Sequence, residues 1–91
     1  MSIKVHIPTP MRQHTGGAAT VEVAGGTVKE ALDNLCAKHG GVTGRLFENG
    51  QVRRFVNIYL NDEDVRYLQG LETPVEEDDV ILILPAVAGG R

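Results

Sequence analysis

The chain has 91 residues, of which 42% are hydrophobic and 23% are charged, and this composition is typical of one globular domain rather than a disordered segment. Its net charge of −3 and its single basic doublet, Arg53-Arg54, argue against nucleic-acid binding, which requires a basic surface. No apolar run approaches the roughly 18 residues of a membrane span, no signal peptide precedes the first strand pattern, and one cysteine allows no internal disulfide, so we expect a cytoplasmic protein.

The N-terminal region predicts two strands. Ile3, Val5 and Ile7 alternate with polar residues up to Pro8, and residues 20–23 show the same alternation. We expect a hairpin whose long, proline-containing loop covers residues 9–14.

The main helix is predicted to start at Thr27, which forms a capping box with Glu30: the hydroxyl and the carboxylate each accept a hydrogen bond from an exposed backbone N–H. Gly40-Gly41 predicts its end, in a left-handed cap. One apolar stripe follows the helical period: Val28, Ala31, Leu32, Leu35 and Cys36. Residues 43–47 predict a further helical turn, and Asn49-Gly50 a chain turn.

The C-terminal half predicts a strand at residues 54–60, a short strand at 65–67 and a last strand at 80–84. The last strand is apolar without alternation, which is typical of a central strand that is covered on both faces and has a parallel neighbour. The element order describes an α+β domain with a mixed sheet and one helix packed across a face.

Gly89-Gly90 follows this last strand and is the candidate functional tail, since glycine lets a backbone enter a narrow active site. Gly-Gly occurs four times in the chain, at 16–17, 25–26, 40–41 and 89–90, and the first three pairs are predicted as turns or caps. The glycine pattern alone fits a frayed chain end equally well.

Three blocks of sequence carry a resemblance to a known family. They are residues 7–17, residues 54–59 with 61–66, and the tail Ala86-Val87-Ala88-Gly89-Gly90. The blocks resemble the ubiquitin-like sulfur carriers of the MoaD/ThiS group, and most closely those that serve cysteine synthesis. The resemblance implies a β-grasp fold with a mixed sheet of four to five strands over residues 1–85, and a flexible C-terminal tail at 86–91.

The resemblance also implies a mechanism in which the protein is a co-substrate rather than an enzyme and needs no cofactor of its own. An E1-like, ATP-dependent activating enzyme adenylates the Gly90 carboxylate, and sulfur displaces AMP to leave a thiocarboxylate. Val87, Ala88 and Gly89 form the segment that enters the partner's active site. The implied further partners are a pyridoxal-phosphate (PLP)-dependent cysteine synthase, which accepts the sulfur, and a JAMM-type zinc peptidase, which releases the product.

Arg91 departs from the family pattern, because these carriers act through a free terminal glycine. Two interpretations follow: a peptidase removes Arg91 to expose Gly90, or the chain no longer carries sulfur. We favour removal, because the rest of the tail matches the family. Transfer of sulfur to molybdopterin, a thiamine precursor or tRNA, joining of Gly90 to protein lysines, and a pure interaction domain remain alternatives.

Phe55 and Tyr59 are predicted on the strand face away from the helix, where alternate residues of the last strand, such as Leu82, join them in a candidate partner surface. A dimer through the same face is the competing interpretation. Cys36 is expected to be structural, since no paired base accompanies it. The three histidines lack metal-site spacing, and the acidic groups at 62–64 and 76–79 are expected to form solvated turns.

Overall fold

A computed structural model describes residues 1–85. The tail predicted for residues 86–91, and with it the division of the chain after residue 85, lie outside the described residues. Within residues 1–85 the helices and strands are β1 Ser2–His6, β2 Thr20–Ala24, α1 Val28–Lys38, α2 Thr43–Leu46, β3 Phe47–Glu48, β4 Gln51–Val52, β5 Val56–Leu60, β6 Glu63–Asp64 and β7 Val80–Pro85.

Five of these strands form one mixed sheet in the order β2-β1-β7-β5-β6. The last strand, β7, lies in the middle of the sheet. It is parallel to β1, with Lys4 opposite Val80, and antiparallel to β5, with Ile58 opposite Ile83. The predicted α+β class, the mixed sheet and the central, parallel position of the last strand are therefore confirmed.

The core lies between one face of the sheet and α1. Ile3 and Val5 of β1 and Ile81 and Ile83 of β7 are completely buried, as is the apolar stripe of α1 from Val28 to Leu35. Fully burying an aliphatic side chain of this size contributes about 1.5–3 kcal/mol, so the packing of α1 against the sheet is a major source of stability.

The second face of β7 corrects a prediction made from its sequence. The unbroken apolar run predicts that both faces of the strand are covered. Within β7, however, only Ile81 and Ile83 are buried, whereas Leu82 is half-buried and Leu84 is 41% exposed. The strand is central in the sheet yet carries leucines on an uncovered side. Burial in the core therefore explains the two isoleucines of β7 but not its two leucines.

The start of α1 is capped almost as predicted. The Thr27 hydroxyl accepts a hydrogen bond from the Glu30 N–H at 3.1 Å, but the Glu30 carboxylate accepts from the N–H of Gly26 at 2.7 Å and not from that of Thr27. Gly25 lies so close to the first turn that a Cβ at this position would be 2.7 Å from the backbone nitrogen of Ala31. Glycine is therefore required here for close packing against the helix.

The predicted left-handed glycine cap at the end of α1 is wrong. The cap residue is His39, with φ of −133°, and Gly40 and Gly41 enter a 3₁₀ helix, Gly40–Val42. A Cβ at Gly41 would lie 2.8 Å from the Nδ1 atom of His14. Contact with another part of the chain, rather than a special backbone angle, explains that glycine.

Four local features differ from the sequence prediction. Residues 9–15 form a 3₁₀ helix instead of an irregular loop, and the segment 65–67 is also 3₁₀. The strand expected at 54–60 begins at Val56, and the Asn49-Gly50 turn joins the short hairpin β3–β4, which was not predicted. Among residues 1–85, no helix has both the length and the apolar character needed to cross a membrane.

Candidate functional site

The predicted reactive tail follows directly from β7. Gly90, the tail residues Val87, Ala88 and Gly89, and Arg91 all lie outside the described residues, so their predicted roles remain predictions. Pro85 is the last described residue and still belongs to the sheet, where it lies opposite Val56 of β5. The structure therefore places in the sheet the residue that precedes the predicted tail.

Two of the three predicted partner-surface residues are direct neighbours. Leu82 lies opposite Tyr59 across the antiparallel pair β7–β5, and opposite His6 across the parallel pair β7–β1. Side chains opposite one another on adjacent strands share a face. Because Ile81 and Ile83 face the core, Leu82 and Tyr59 lie on the uncovered side of the sheet, which we call the open face.

Phe55, the third predicted residue, lies just before β5 rather than on it. Its side chain is 50% exposed, and the guanidinium carbon of Arg54 is 5.6 Å from the ring centroid. Phe55 and Pro85 line the same cleft, so this ring lies beside the last described residue of β7.

Leu84 is a member of the open face that the sequence prediction did not name. It lies opposite Asn57 and is more exposed than Leu82. Every residue of residues 80–84 is apolar, so period-two alternation gives no indication of which side chains face outward. The antiparallel register with β5 supplies that information in the structure.

An ion pair borders the open face on its other side. Asp64, opposite Tyr59, is only 7% exposed, and its carboxylate accepts hydrogen bonds from the Arg66 backbone N–H and from the guanidinium, the shortest at 2.7 Å. Hydrogen bonds from the Arg66 side chain and backbone hold the pKa of Asp64 below its usual value. The pair is held in a fixed geometry and keeps Asp64 ionised.

The acidic loop before β7 forms a largely exposed turn, as predicted, and its carboxylates also hold neighbouring segments together. The same prediction is wrong for part of residues 62–64, because Glu63 and Asp64 form β6 and Asp64 is buried. Asp79 accepts hydrogen bonds from the Glu76 N–H at 2.8 Å and from the Asn61 side chain at 3.0 Å, and Glu77 accepts from the Ser2 N–H at 2.9 Å. These carboxylates connect the loops at the beginning of β7. They therefore lie at the opposite end of that strand from the tail.

The Cys36 thiol is half-buried on the flank of α1, against the core. Burial raises the pKa of this thiol, while a hydrogen bond with Thr43 acts in the opposite direction. A thiol with a raised pKa is a poor nucleophile at neutral pH, which supports the structural interpretation. In the described part of the chain, no group of three His, Cys, Asp or Glu side chains is placed to hold a metal ion.

Comparison with known proteins gives a consistent result. The sequence pattern of the ThiS family matches residues 5–90. The sulfur carrier protein CysO of Mycobacterium tuberculosis is 46% identical over 93 residues, which cover 99% of this chain and 100% of that protein.

Solved structures confirm the β-grasp fold that the resemblance implied. A chain of the BexX/CysO complex of Amycolatopsis orientalis is 49% identical and superposes with a TM-score of 0.90, covering 97% of this chain and 99% of that one. The small archaeal modifier protein 1 of Methanosarcina acetivorans is 30% identical with a TM-score of 0.88, covering 98% and 96%.

Proposed function

The chain belongs to the ThiS family, and on that premise we propose that it carries sulfur as a thiocarboxylate on Gly90. It is a CysO-like carrier rather than an enzyme. The observation that carries the proposal is the family match over residues 5–90, which extends through the glycine pair and leaves Arg91 outside.

The proposed chemistry starts with attack of the Gly90 carboxylate on the α-phosphorus of ATP, which releases pyrophosphate and leaves an acyl adenylate. Sulfide then attacks the acyl carbon of the adenylate. A carbon–sulfur bond forms, the carbon–oxygen bond to AMP breaks, and the chain ends in a thiocarboxylate. Val87, Ala88 and Gly89 are small, so this segment fits a narrow channel and lets the terminal carboxylate approach the nucleotide closely.

The position of β7 supports this use of the tail. The strand is hydrogen-bonded to β1 on one side and β5 on the other, so the point from which the tail departs is rigid. An extended segment from residue 86 to Gly90 spans at most about 17 Å, at about 3.3 Å per residue. A partner must therefore dock close to Pro85, and we propose Phe55, Tyr59 and Leu82 as part of the surface that it contacts.

Arg91 must be removed before this chemistry, because it holds the Gly90 carbonyl in a peptide bond. We propose that a peptidase cleaves between Gly90 and Arg91. The family match supports this position for the cut, since it ends at Gly90.

The proposed acceptor pathway is cysteine biosynthesis, supported by 46% identity to CysO over nearly the whole chain. In this pathway a PLP-dependent cysteine synthase accepts the sulfur and a JAMM-type zinc peptidase releases the product from the tail. The matched chain from Amycolatopsis orientalis belongs to a complex of CysO with BexX, which supports a partner protein that engages the carrier directly.

The experiment compares protein ending at Gly90 with the full-length chain. Each is incubated with ATP, the activating enzyme and a sulfide source, and the C-terminal peptide is analysed by mass spectrometry. We expect the mass change of one oxygen replaced by sulfur only in the chain that ends at Gly90. If that chain stays unmodified at saturating enzyme, the carrier proposal is wrong, and if full-length chain is modified without losing Arg91, the processing step is wrong.

A second candidate function is protein modification through Gly90, favoured by the similarity to small archaeal modifier protein 1. It predicts covalent, high-mass conjugates in cells that disappear when Gly89 and Gly90 are deleted. Sulfur transfer predicts thiocarboxylate on the free protein without such conjugates. Immunoblots of cells that carry the intact chain and of cells that carry the chain without Gly89 and Gly90 distinguish the two functions.

A further inference from the structure

The charges of this acidic protein are segregated along β7. The carboxylates of residues 76–79 lie before the strand, whereas Arg45 and Arg53 line a cleft of about 460 Å³ together with Pro85, at the end where the tail begins. Arg54 follows Arg53, and both line a second cleft of about 460 Å³. We call Arg45, Arg53 and Arg54 the arginine edge.

Both clefts are lined by apolar and basic residues together. Met11 and Phe55 are among the apolar residues of the first cleft, and Ile58 and Leu71 among those of the second. Among the described residues, no Asp or Glu lines either cleft. This end of the molecule therefore has a local positive charge although the whole chain has a net charge of −3.

The arginine edge is not neutralised by the described part of the chain. The two salt bridges found there join Lys29 to Asp33 and Arg66 to Asp64. The contacts found there for the arginine edge include no carboxylate: they are with the His14 ring at 3.4 Å, the Gly44 carbonyl at 3.4 Å and the Phe55 ring at 5.6 Å. A surface that covers these guanidinium groups must supply anionic groups, because a buried, unpaired charge is costly, and an unmodified protein surface supplies them as carboxylates.

We propose that the arginine edge binds an acidic surface around the active-site entrance of the ATP-dependent enzyme that activates the tail. The inference rests on the proposed function, because the tail departs from Pro85, in the wall of the first cleft, and any active site that receives it opens against this edge. The same acidic surface repels the carboxylates at the beginning of β7. The carrier therefore approaches with its tail forward, and complementary charge raises the association rate.

The test uses chain ending at Gly90 and measures kcat and KM for thiocarboxylate formation as carrier concentration is varied. The charge-reversal variant Arg53→Glu/Arg54→Glu is compared with Lys29→Glu/Lys38→Glu, which changes the net charge equally but lies on α1, away from the clefts. We expect the arginine variant to raise KM about tenfold or more at low salt, with kcat unchanged and the difference reduced at about 1 M salt.

Two results would overturn the inference while leaving the proposed function intact. One is normal thiocarboxylate formation with the same KM for both variants, and the other is a raised KM that does not respond to salt. Binding of a single-stranded oligonucleotide that depends on the arginine edge, with KM unchanged, would assign the edge to nucleic acid instead. Failure of the unmutated chain to form thiocarboxylate removes the proposed function and this inference with it. A cooperative unfolding transition above the assay temperature for each chain establishes that the variants are folded.

Discussion

Leu82 and Ile83 are adjacent on β7 but lie on opposite faces of the sheet, and we predict that they separate stability from recognition. Ile83 is completely buried, so Ile83→Ala removes three buried carbons. At about 0.8 kcal/mol for each, with a cavity left behind, we expect a loss of about 2–5 kcal/mol. Leu82 has Tyr59 and His6 beside it on the open face, so Leu82→Ala is expected to cost about 1 kcal/mol or less.

The effect on recognition by the activating enzyme should be the reverse, larger for Leu82→Ala than for Ile83→Ala. Urea unfolding gives the free energy of unfolding for each variant, and the activating enzyme then gives KM at a temperature where both variants are folded. We expect Leu82→Ala to raise KM and Ile83→Ala to leave it unchanged, because only Leu82 is accessible to a partner. In thermal unfolding, Ile83→Ala should lower Tm by about 8 °C or more, at roughly 4–8 °C per kcal/mol for a domain of this size.

Two measurements would refute this reasoning. Equal destabilisation by the two variants would mean that Leu82 is covered in the folded protein, for example in a dimer through the open face. An unchanged KM for Leu82→Ala and also for Tyr59→Ala would remove the open face from the docking surface and leave only the base of the tail.

Three further predictions concern single sites. Gly25→Ala should destabilise the domain by about 1–3 kcal/mol in urea unfolding, because its Cβ meets backbone of α1, whereas Gly26→Ala meets only the movable Glu30 carboxylate at 3.3 Å and should cost less; equal costs would contradict the packing argument. The pKa of Asp64 is lowered in the folded state, so ionised Asp64 stabilises the fold above the unfolded pKa of about 3.9, and this contribution is lost as pH falls through the folded pKa. In Asp64→Asn, the free energy of unfolding should therefore fall less steeply with decreasing pH in the acid range. The Cys36 thiol should react slowly with a disulfide reagent at neutral pH, and Cys36→Ser should leave thiocarboxylate formation unchanged; loss of that activity in a folded variant would give the thiol a role in sulfur transfer.

The sequence was sufficient for elements whose local signals agree with their burial. Alternation along β1 and β2, and the stripe on α1 that follows Thr27, each encode one buried face, and the structure buries those faces. The central position of β7 was also predictable, because a continuous apolar run of this length is unusual outside the middle of a sheet.

The remaining features depend on contacts between distant segments. Gly41 is explained only by its approach to His14, and the outward direction of Leu84 only by the register between β7 and β5. The arginine edge is assembled from Arg45 and the Arg53-Arg54 doublet, which in sequence is too short to indicate a basic surface. Of the candidate site, the sequence predicted that Tyr59 shares a face with alternate residues of β7, but the pairing of Tyr59 with Leu82 and the position of Pro85 opposite Val56 follow only from the register.

The pairing of β1 with β7 also has a consequence for the order in which the protein is made. Before β7 leaves the ribosome, β1–β2 and β5–β6 are separate two-stranded hairpins, which are marginally stable in water at best. The strand that joins them is the last described element and leads directly to Gly90. The sheet can therefore be completed only after β7 has been made, and a chain interrupted before this strand lacks both the finished sheet and the glycine pair that follows it.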